Sequence, residues 1–201
     1  DEEIRSFFSG PAYLGWHRMC NFDAFMGPLP RDWMDRQQTL QKQILKRMNE
    51  LGINVCLPGY SGMVPHDARQ RLGLDVSDPG MWCGYKRPAF LLPTDKRFTE
   101  IATLYYKEQQ RLYGKASFYS MDPFHEGANT SGIDVPSAYS KIAEAMTKAN
   151  AKGKWVVQFW QWSGAQYNIL SKVEKGKLIV LDLFSDAHTH FGEYKGHDAV
   201  Y

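Results

Sequence analysis

Two carboxylates and an imidazole fall within five positions at Asp122, His125 and Glu126, in the run Ser117-Phe-Tyr-Ser-Met-Asp122-Pro-Phe-His125-Glu126-Gly127-Ala-Asn129. A carboxyl group kept protonated by burial can give up a proton near neutral pH, and a second, ionised one can stabilise positive charge as it develops. Residues 117–121 suit a buried strand, so these groups emerge where a strand ends. In proteins that alternate strands with helices, ligands gather at that carboxyl edge. If the extended phase persists past Pro123, Phe118, Ser120, Asp122 and Glu126 share one face. The competing reading makes Asp122 or Asn129 the cap of a turn and Glu126 a solvated loop acid.

Positioning such a loop takes a regular frame, and the chain supplies one. Residues 10–16 form a short apolar strand candidate, stopped by Gly27-Pro28-Leu29-Pro30. From 31 to 51 the residues Trp33, Gln37, Leu40, Ile44, Met48 and Leu51 recur at helical steps, and Gly52 closes the helix. A compact strand at 53–57 ends in Pro58-Gly59-Tyr60-Ser61-Gly62. The connection from 63 to 94 is too long for an ordinary link and has the length of a lid or binding loop; it carries Trp82, Tyr85 and Phe90. Thr94 or Asp95 caps a helix with Phe98, Ile101, Tyr105 and Leu112 on one face. After strand 117–121 comes a helix over 136–151, with Asp134 as capping candidate. Strand 155–160 puts Val156, Gln158 and Trp160 on one face. A helix over 163–173, strand 178–184 and a partial strand from 199 complete the series.

Strand and helix thus alternate within a single domain over 1–201, the pattern of a parallel sheet covered by helices. A doubly wound nucleotide fold would carry a glycine fingerprint after its first strand, and neither G-x-G-x-x-G nor G-x-x-x-x-G-K-[ST] occurs. An α/β fold of the (β/α)8 barrel type is expected, incomplete in this chain, because a whole barrel takes about 250 residues.

Composition narrows the function classes. With 43% hydrophobic and 23% charged residues, the 201-residue chain has the material for a real core. Its formal charge of +2 and dispersed Lys and Arg point to neither nucleic acid nor a membrane surface. No apolar run is long enough to span a bilayer. The first residues, Asp1-Glu-Glu-Ile-Arg5, are not a signal peptide, and without an initiator Met the chain reads as a mature or excised segment. Cys20, Cys56 and Cys83 are odd in number and lack C-x-x-C spacing, so they are expected to be buried apolar fillers.

Successive strand edges carry Trp16 with Asn21, Tyr60 with Ser61, Asp122 with Glu126, Gln158 with Trp160, and Asp182. No lysine among them suits a Schiff base, and no serine sits in a G-x-S-x-G elbow. His188-Thr-His190 lacks a metal-ligand spacing, His17, His66 and His197 lack ligand-like neighbours, and no metal or cofactor is expected. A carboxylic acid among aromatic platforms and amide hydrogen-bonders is what glycoside hydrolysis uses. It needs a proton for the leaving oxygen, which Glu126 can supply if neighbours such as Phe124 or Trp160 raise its pKa. It also needs a second carboxyl group for the oxocarbenium-like centre.

The runs Gly10-Pro-Ala-Tyr-Leu-Gly-Trp16-His-Arg-Met-Cys-Asn21-Phe, Gly27-Pro-Leu-Pro30, Leu57-Pro-Gly-Tyr-Ser-Gly62-Met-Val-Pro65, Phe90-Leu-Leu-Pro93 and Val180-Leu-Asp182-Leu-Phe184 resemble the α-N-acetylglucosaminidase family, glycoside hydrolase family 89. Asp122-Pro-Phe-His125-Glu126-Gly127 resembles its acid/base motif, and the likeness extends in order over nearly the whole chain. The resemblance implies a (β/α)8 barrel and a retaining exo-hydrolase of terminal α-linked N-acetylglucosamine, periplasmic or secreted in bacteria and lysosomal in animals. It makes Glu126 the general acid/base, and makes Trp16, Asn21, Tyr60, His125, Gln158, Trp160 and Asp182 sugar-pocket residues.

Two departures accompany the likeness. Animal members have Asn where this chain has His125, so the hydrogen bond expected there is made differently. The family's nucleophilic glutamate lies on a later strand, beyond Tyr201, and Asp122 is too near Glu126 in sequence to replace it. The implied picture is a central piece of the barrel, inactive alone, its edge strands covered by further segments or another chain. Two other readings stand beside it. One is a non-catalytic carbohydrate-binding module or inactive barrel fragment. The other is a substrate-assisted hexosaminidase, which would place Asp immediately before the glutamate, where this chain has His125.

Overall fold

The structure, a computed structural model, describes residues 29–65, 67–78, 80–82, 84–124, 128–159, 164–183 and 194–200. In chain order these hold α1 (Arg31–Glu50), β1 (Cys56–Pro58), β2 (Met63–Val64), α2 (Ala68–Leu72), β3 (Val76–Ser77), β4 (Met81–Trp82), β5 (Tyr85–Lys86) and β6 (Ala89–Leu91). They continue with α3 (Phe98–Tyr113), β7 (Phe118–Ser120), α4 (Val135–Ala149), β8 (Lys154–Phe159), α5 (Gly164–Lys172), β9 (Leu178–Asp182) and β10 (Asp198–Val200). They form two compact units. One draws on Asp1–Ile53, Gly62–Phe98 and Pro123–Ser131, and the other on Asn54–Ser61, Thr99–Asp122 and Gly132–Tyr201. The candidate strand at 10–16 lies outside the described residues.

The second unit is built on one sheet, β1-β7-β8-β9-β10, in which every neighbouring pair is parallel. Parallel neighbours cannot be joined by a hairpin, and α3, α4 and α5 make the first three crossovers. Helix α3 sets Tyr106 edge-on against Tyr119, while α4 stacks Tyr139 flat on Trp155 at 4.8 Å between centroids. Tyr119 and Trp155 are register partners, so both helices cover the same face. Strand order that follows chain order, with these helices on one side, is the topology of a (β/α) barrel and not of a doubly wound sheet.

Alternation along the strands separates two environments. Leu57, Tyr119, Trp155, Val157, Phe159, Leu178 and Val180 are buried on the helix side. Cys56, Pro58, Ser120 and Gln158 stand exposed on the other, with Phe118, Val156, Ile179 and Leu181 half-covered among them. In a closed barrel this second face lines the interior. Cys56 is therefore an exposed thiol and not the buried filler expected of it, because Leu57 takes the helix-covered face of so short a strand. Cys20 and Cys83 lie outside the described residues.

Helix α4 starts as its sequence foretold. The Asp134 carboxylate accepts the Ser137 N–H at 3.3 Å, and Pro136 sits in the first turn, where its missing donor costs nothing. Two helical faces are rotated by one residue from expectation. In α3 the deepest positions are Phe98, Ala102 and Tyr106, not Ile101 and Tyr105. In α1 Leu45 is buried, while Leu40 and Ile44 are exposed. Helix α3 carries apolar residues on adjacent rows, so periodicity alone could not choose between them.

The first unit contains the long connection, which is not a bare loop and carries α2. It folds into an antiparallel sheet, β2-β6-β3, and a separate hairpin, β4–β5. Gly62 opens it at φ 107°, and its carbonyl accepts the Leu91 N–H at 2.7 Å. A Cβ there would stand 2.9 Å from both the Leu91 oxygen and the Phe90 ring. Gly62→Ala is expected to cost about 2–4 kcal/mol, through backbone strain and overlap together, and urea unfolding measures it.

Asp95 and Arg97 close the same unit. The carboxylate accepts the backbone N–H groups of Asp75 and Arg97, each at 2.8 Å, and pairs with the Arg97 guanidinium at 3.0 Å. That guanidinium also donates to the carbonyls of Leu72 and Gly73 at the end of α2. Hydrogen bonding to Arg97, followed by the two backbone donors, holds the Asp95 carboxyl well below the usual carboxylate range. A carboxyl group whose pKa falls on folding adds stability above its unfolded pKa, about 3.9, and loses it as pH falls towards the folded value. Asp95→Asn should lower stability by about 1–2 kcal/mol at pH 7. The gap to wild type should shrink steadily below about pH 4 in urea unfolding run at several pH values.

Candidate functional site

The carboxyl edge of the parallel sheet is tied down strand by strand. At the end of β1, the Pro58 carbonyl accepts from Tyr105 Oη at 3.0 Å and from Gln109 Nε2 at 2.6 Å. The Gly59 N–H donates to the Ser120 carbonyl at 2.9 Å, and the Tyr60 N–H to Tyr106 Oη at 3.1 Å. Gly59 leaves no room for a side chain, since a Cβ would stand 2.6 Å from Met121. Past β7, Trp155 Nε1 donates to the Met121 carbonyl at 2.9 Å. Asp122, the next residue, adds its negative charge to burial in raising the Tyr139 phenol.

Three of the sequence-predicted site residues stand at this edge among the described residues. Tyr60 is buried, its ring tilted against Tyr105 at 5.6 Å, and burial raises its phenol pKa. Gln158 is exposed on the face away from α3 and α4, beside Leu181 in register. Asp182 is 3% exposed, pairs in register with Phe159, and accepts a hydrogen bond from Tyr194 Oη at 2.9 Å. Gln158 and Asp182 therefore occupy opposite faces, and the Asp182 carboxylate secures β9 to the chain that returns at 194.

Trp16, Asn21, His125, Glu126 and Trp160 lie outside the described residues. The Glu126 loop is described on both flanks, within the first unit. Before it, Phe124 packs on Phe90 with ring centroids 4.7 Å apart. After it, Asn129 Oδ1 accepts the Ser131 N–H at 3.0 Å, the turn weighed as an alternative for this stretch. Sequence reasoning missed the residues that hold the edge, Tyr106, Gln109 and Trp155, since their contacts join positions tens of residues apart.

The described residues hold no cluster of metal-binding side chains. His197 is buried, with Nε2 2.9 Å from the Leu170 carbonyl; His17, His66, His188 and His190 lie outside the described residues. No described helix is long and apolar enough to cross a membrane.

Comparison with known proteins gives the family. All of residues 1–201 match the model of the α-N-acetylglucosaminidase tim-barrel domain. Human α-N-acetylglucosaminidase is 31% identical over 99% of this chain, which spans only 29% of that protein. A family 89 glycoside hydrolase from Clostridium perfringens, solved with 2-acetamido-1,2-dideoxynojirmycin, superposes with a TM-score of 0.89 at 37% identity. That match covers 96% of this chain and 23% of the other. A Clostridium perfringens form with two Glu→Gln substitutions, in complex with its substrate GlcNAc-α-1,4-galactose, gives 0.88 at 36% identity, over 95% and 22%. The chain belongs to the α-N-acetylglucosaminidase family, glycoside hydrolase family 89, as part of its barrel domain.

Proposed function

We propose that the full-length protein carrying this segment removes terminal α-linked N-acetylglucosamine from glycans with retention of configuration, Glu126 serving as general acid/base. The observation that carries this reading is the run Asp122-Pro-Phe-His125-Glu126-Gly127, directly after β7 of a parallel barrel sheet, in a chain of this family. Glu126 protonates the departing glycosidic oxygen, then takes a proton from the water that releases the sugar. The nucleophile is a second glutamate outside this segment, about 5–5.5 Å away across the scissile bond as retention requires. Trp16, Asn21, Tyr60, His125, Gln158, Trp160 and Asp182 surround the sugar or fix the groups that do.

Support comes from the Clostridium perfringens form that holds its substrate with two glutamates replaced. We expect the segment by itself to be inactive, and the whole protein to be secreted, periplasmic or lysosomal. The test is hydrolysis of a chromogenic α-N-acetylglucosaminide by the full-length protein, with and without Glu126→Gln. Undiminished turnover in the variant would remove Glu126 from the mechanism. Sugar binding without turnover in either protein would point to a carbohydrate-binding module.

A further inference from the structure

Helix α1 is longer than α4 and far less covered. Over its 15 residues α4 buries Ala138, Tyr139, Ile142, Ala143, Ala145 and Met146, whereas the 20 residues of α1 bury Leu45 alone. Leu40, Ile44 and Leu51 are 46, 42 and 56% exposed, although their spacing is what marked the helix face in the sequence. At about 100° of turn per residue they fall within an arc of about 40°, with half-buried Trp33 in the same row. Leu45 stands about 100° beyond Ile44, and half-buried Met48, Gln41 and Met34 fill the interval. Asp32, Asp35, Lys46 and Glu50 lie on the opposite side, all exposed. The apolar side thus spans about 140° of the helix, and only its far edge is buried.

An amphipathic helix of a globular protein turns a stripe of that width towards a core. Single exposed leucines are ordinary, but a continuous apolar row marks a contact surface. We propose that the Leu40–Ile44–Leu51 row of α1 is the seam on which barrel units of the same full-length polypeptide, from outside residues 1–201, dock. The chain spans only 29% of the human relative, so most of such a polypeptide lies beyond it. The parallel sheet has five strands, fewer than a closed (β/α)8 barrel requires. Helix α1 leads into β1, an edge strand of that sheet. In a barrel the helix that enters a strand packs on the strands it joins and on neighbouring helices, which puts α1 beside the units that complete the ring. A second copy fits less well. Arg36 and Arg47 border the row on one flank, and antiparallel pairing of two α1 helices through Leu40 and Ile44 would bring them together as like charges.

The experiment uses the full-length protein. The photo-crosslinking residue p-benzoylphenylalanine is placed at position 40 or 44, and for comparison at 39, where Thr39 is exposed on the charged side. Linked peptides are identified by mass spectrometry. Positions 40 and 44 are expected to link to peptides from outside 1–201 while the product keeps the mass of one chain. In parallel, Leu40→Cys, Ile44→Cys and Thr39→Cys are labelled with a maleimide, each site being read by its own peptide so that Cys20, Cys56 and Cys83 do not interfere. Leu40→Cys and Ile44→Cys should label about 100-fold more slowly in the native protein than in urea, and Thr39→Cys at nearly its unfolded rate.

Native labelling of Leu40→Cys and Ile44→Cys at the unfolded rate would show the row open to water and overturn the proposal. Cross-links at the mass of two chains would assign the row to a second copy instead. Links only to peptides within 1–201, or to a different protein, would overturn it equally. If the bulky cross-linking residue prevents folding, the cysteine variants decide through a dilution series. Protection supplied by a second copy is lost on dilution, whereas protection by the same polypeptide is not.

Discussion

Glu126→Gln in the full-length protein is expected to lower kcat on a natural α-linked N-acetylglucosaminide by about 100- to 10,000-fold, the range over which a positioned acid contributes to a rate. Glutamine preserves the shape and one hydrogen-bond donor of the protonated acid, but it cannot surrender a proton to the departing oxygen. Ground-state binding should therefore change little, and the loss should fall on kcat. If the reaction proceeds with retention as proposed, its two halves then separate. With a dinitrophenyl leaving group the first half proceeds without the acid, while the second still lacks the base that activates water. A burst of dinitrophenolate followed by slow turnover is the expected trace in stopped-flow measurement. An added small nucleophile such as azide, which needs no base, should restore the steady-state rate.

Trp155→Ala has the largest expected effect on folding. The side chain is fully buried, stacked on Tyr139 at an interplanar angle of 12°, and bonded through Nε1 to the Met121 carbonyl. Removing such a ring from a core costs about 3–5 kcal/mol. The orphaned carbonyl adds a penalty of about 1–3 kcal/mol where water cannot reach it. The two contributions share one site and will not add fully, but either takes a large part of a typical domain stability of about 5–15 kcal/mol. Trp155→Phe keeps an aromatic ring against Tyr139 while losing the indole donor and part of the ring volume, and should cost less than the alanine variant, about 1–3 kcal/mol. Urea unfolding followed by circular dichroism distinguishes the two. Because Met121 immediately precedes Asp122, hydrogen exchange at the end of β7 should rise in both variants, and more in the alanine one.

The elements that announced themselves in the sequence were those whose signal is local. Asp134 and Pro136 marked the start of α4, and the alternation in β8 sorted Trp155, Val157 and Phe159 from Val156 and Gln158. The parallel order was implied by helices falling between strands. The small sheet between β1 and α3 was not legible, since strands of two or three residues are too short to show a period. The one-residue rotation of α3 had a related root, two neighbouring apolar rows through Ile101 and Tyr105 and through Ala102 and Tyr106. At the site, Glu126 stood out through its motif, whereas the contacts of Trp155 with Met121 and of Phe90 with Phe124 join positions 34 residues apart in unremarkable contexts. Asp182 shows what a strand-end acid can conceal: its chemistry was visible, but only the register with Phe159 and the Tyr194 bond reveal which way it turns.

The pairing of β2 with β6 brings the beginning and end of the connection between β1 and α3 together, with Asp95 and Arg97 buttoning its last turn to α2. A module anchored at its own base can be lengthened or trimmed at its far end for little more than the entropy of closing a longer loop. Among homologues, the β4–β5 hairpin is thus where insertions and deletions should accumulate, while Gly62, Phe90 and the Asp95–Arg97 pair hold their spacing. The same tip offers a permissive place for a grafted epitope or a fluorescent label.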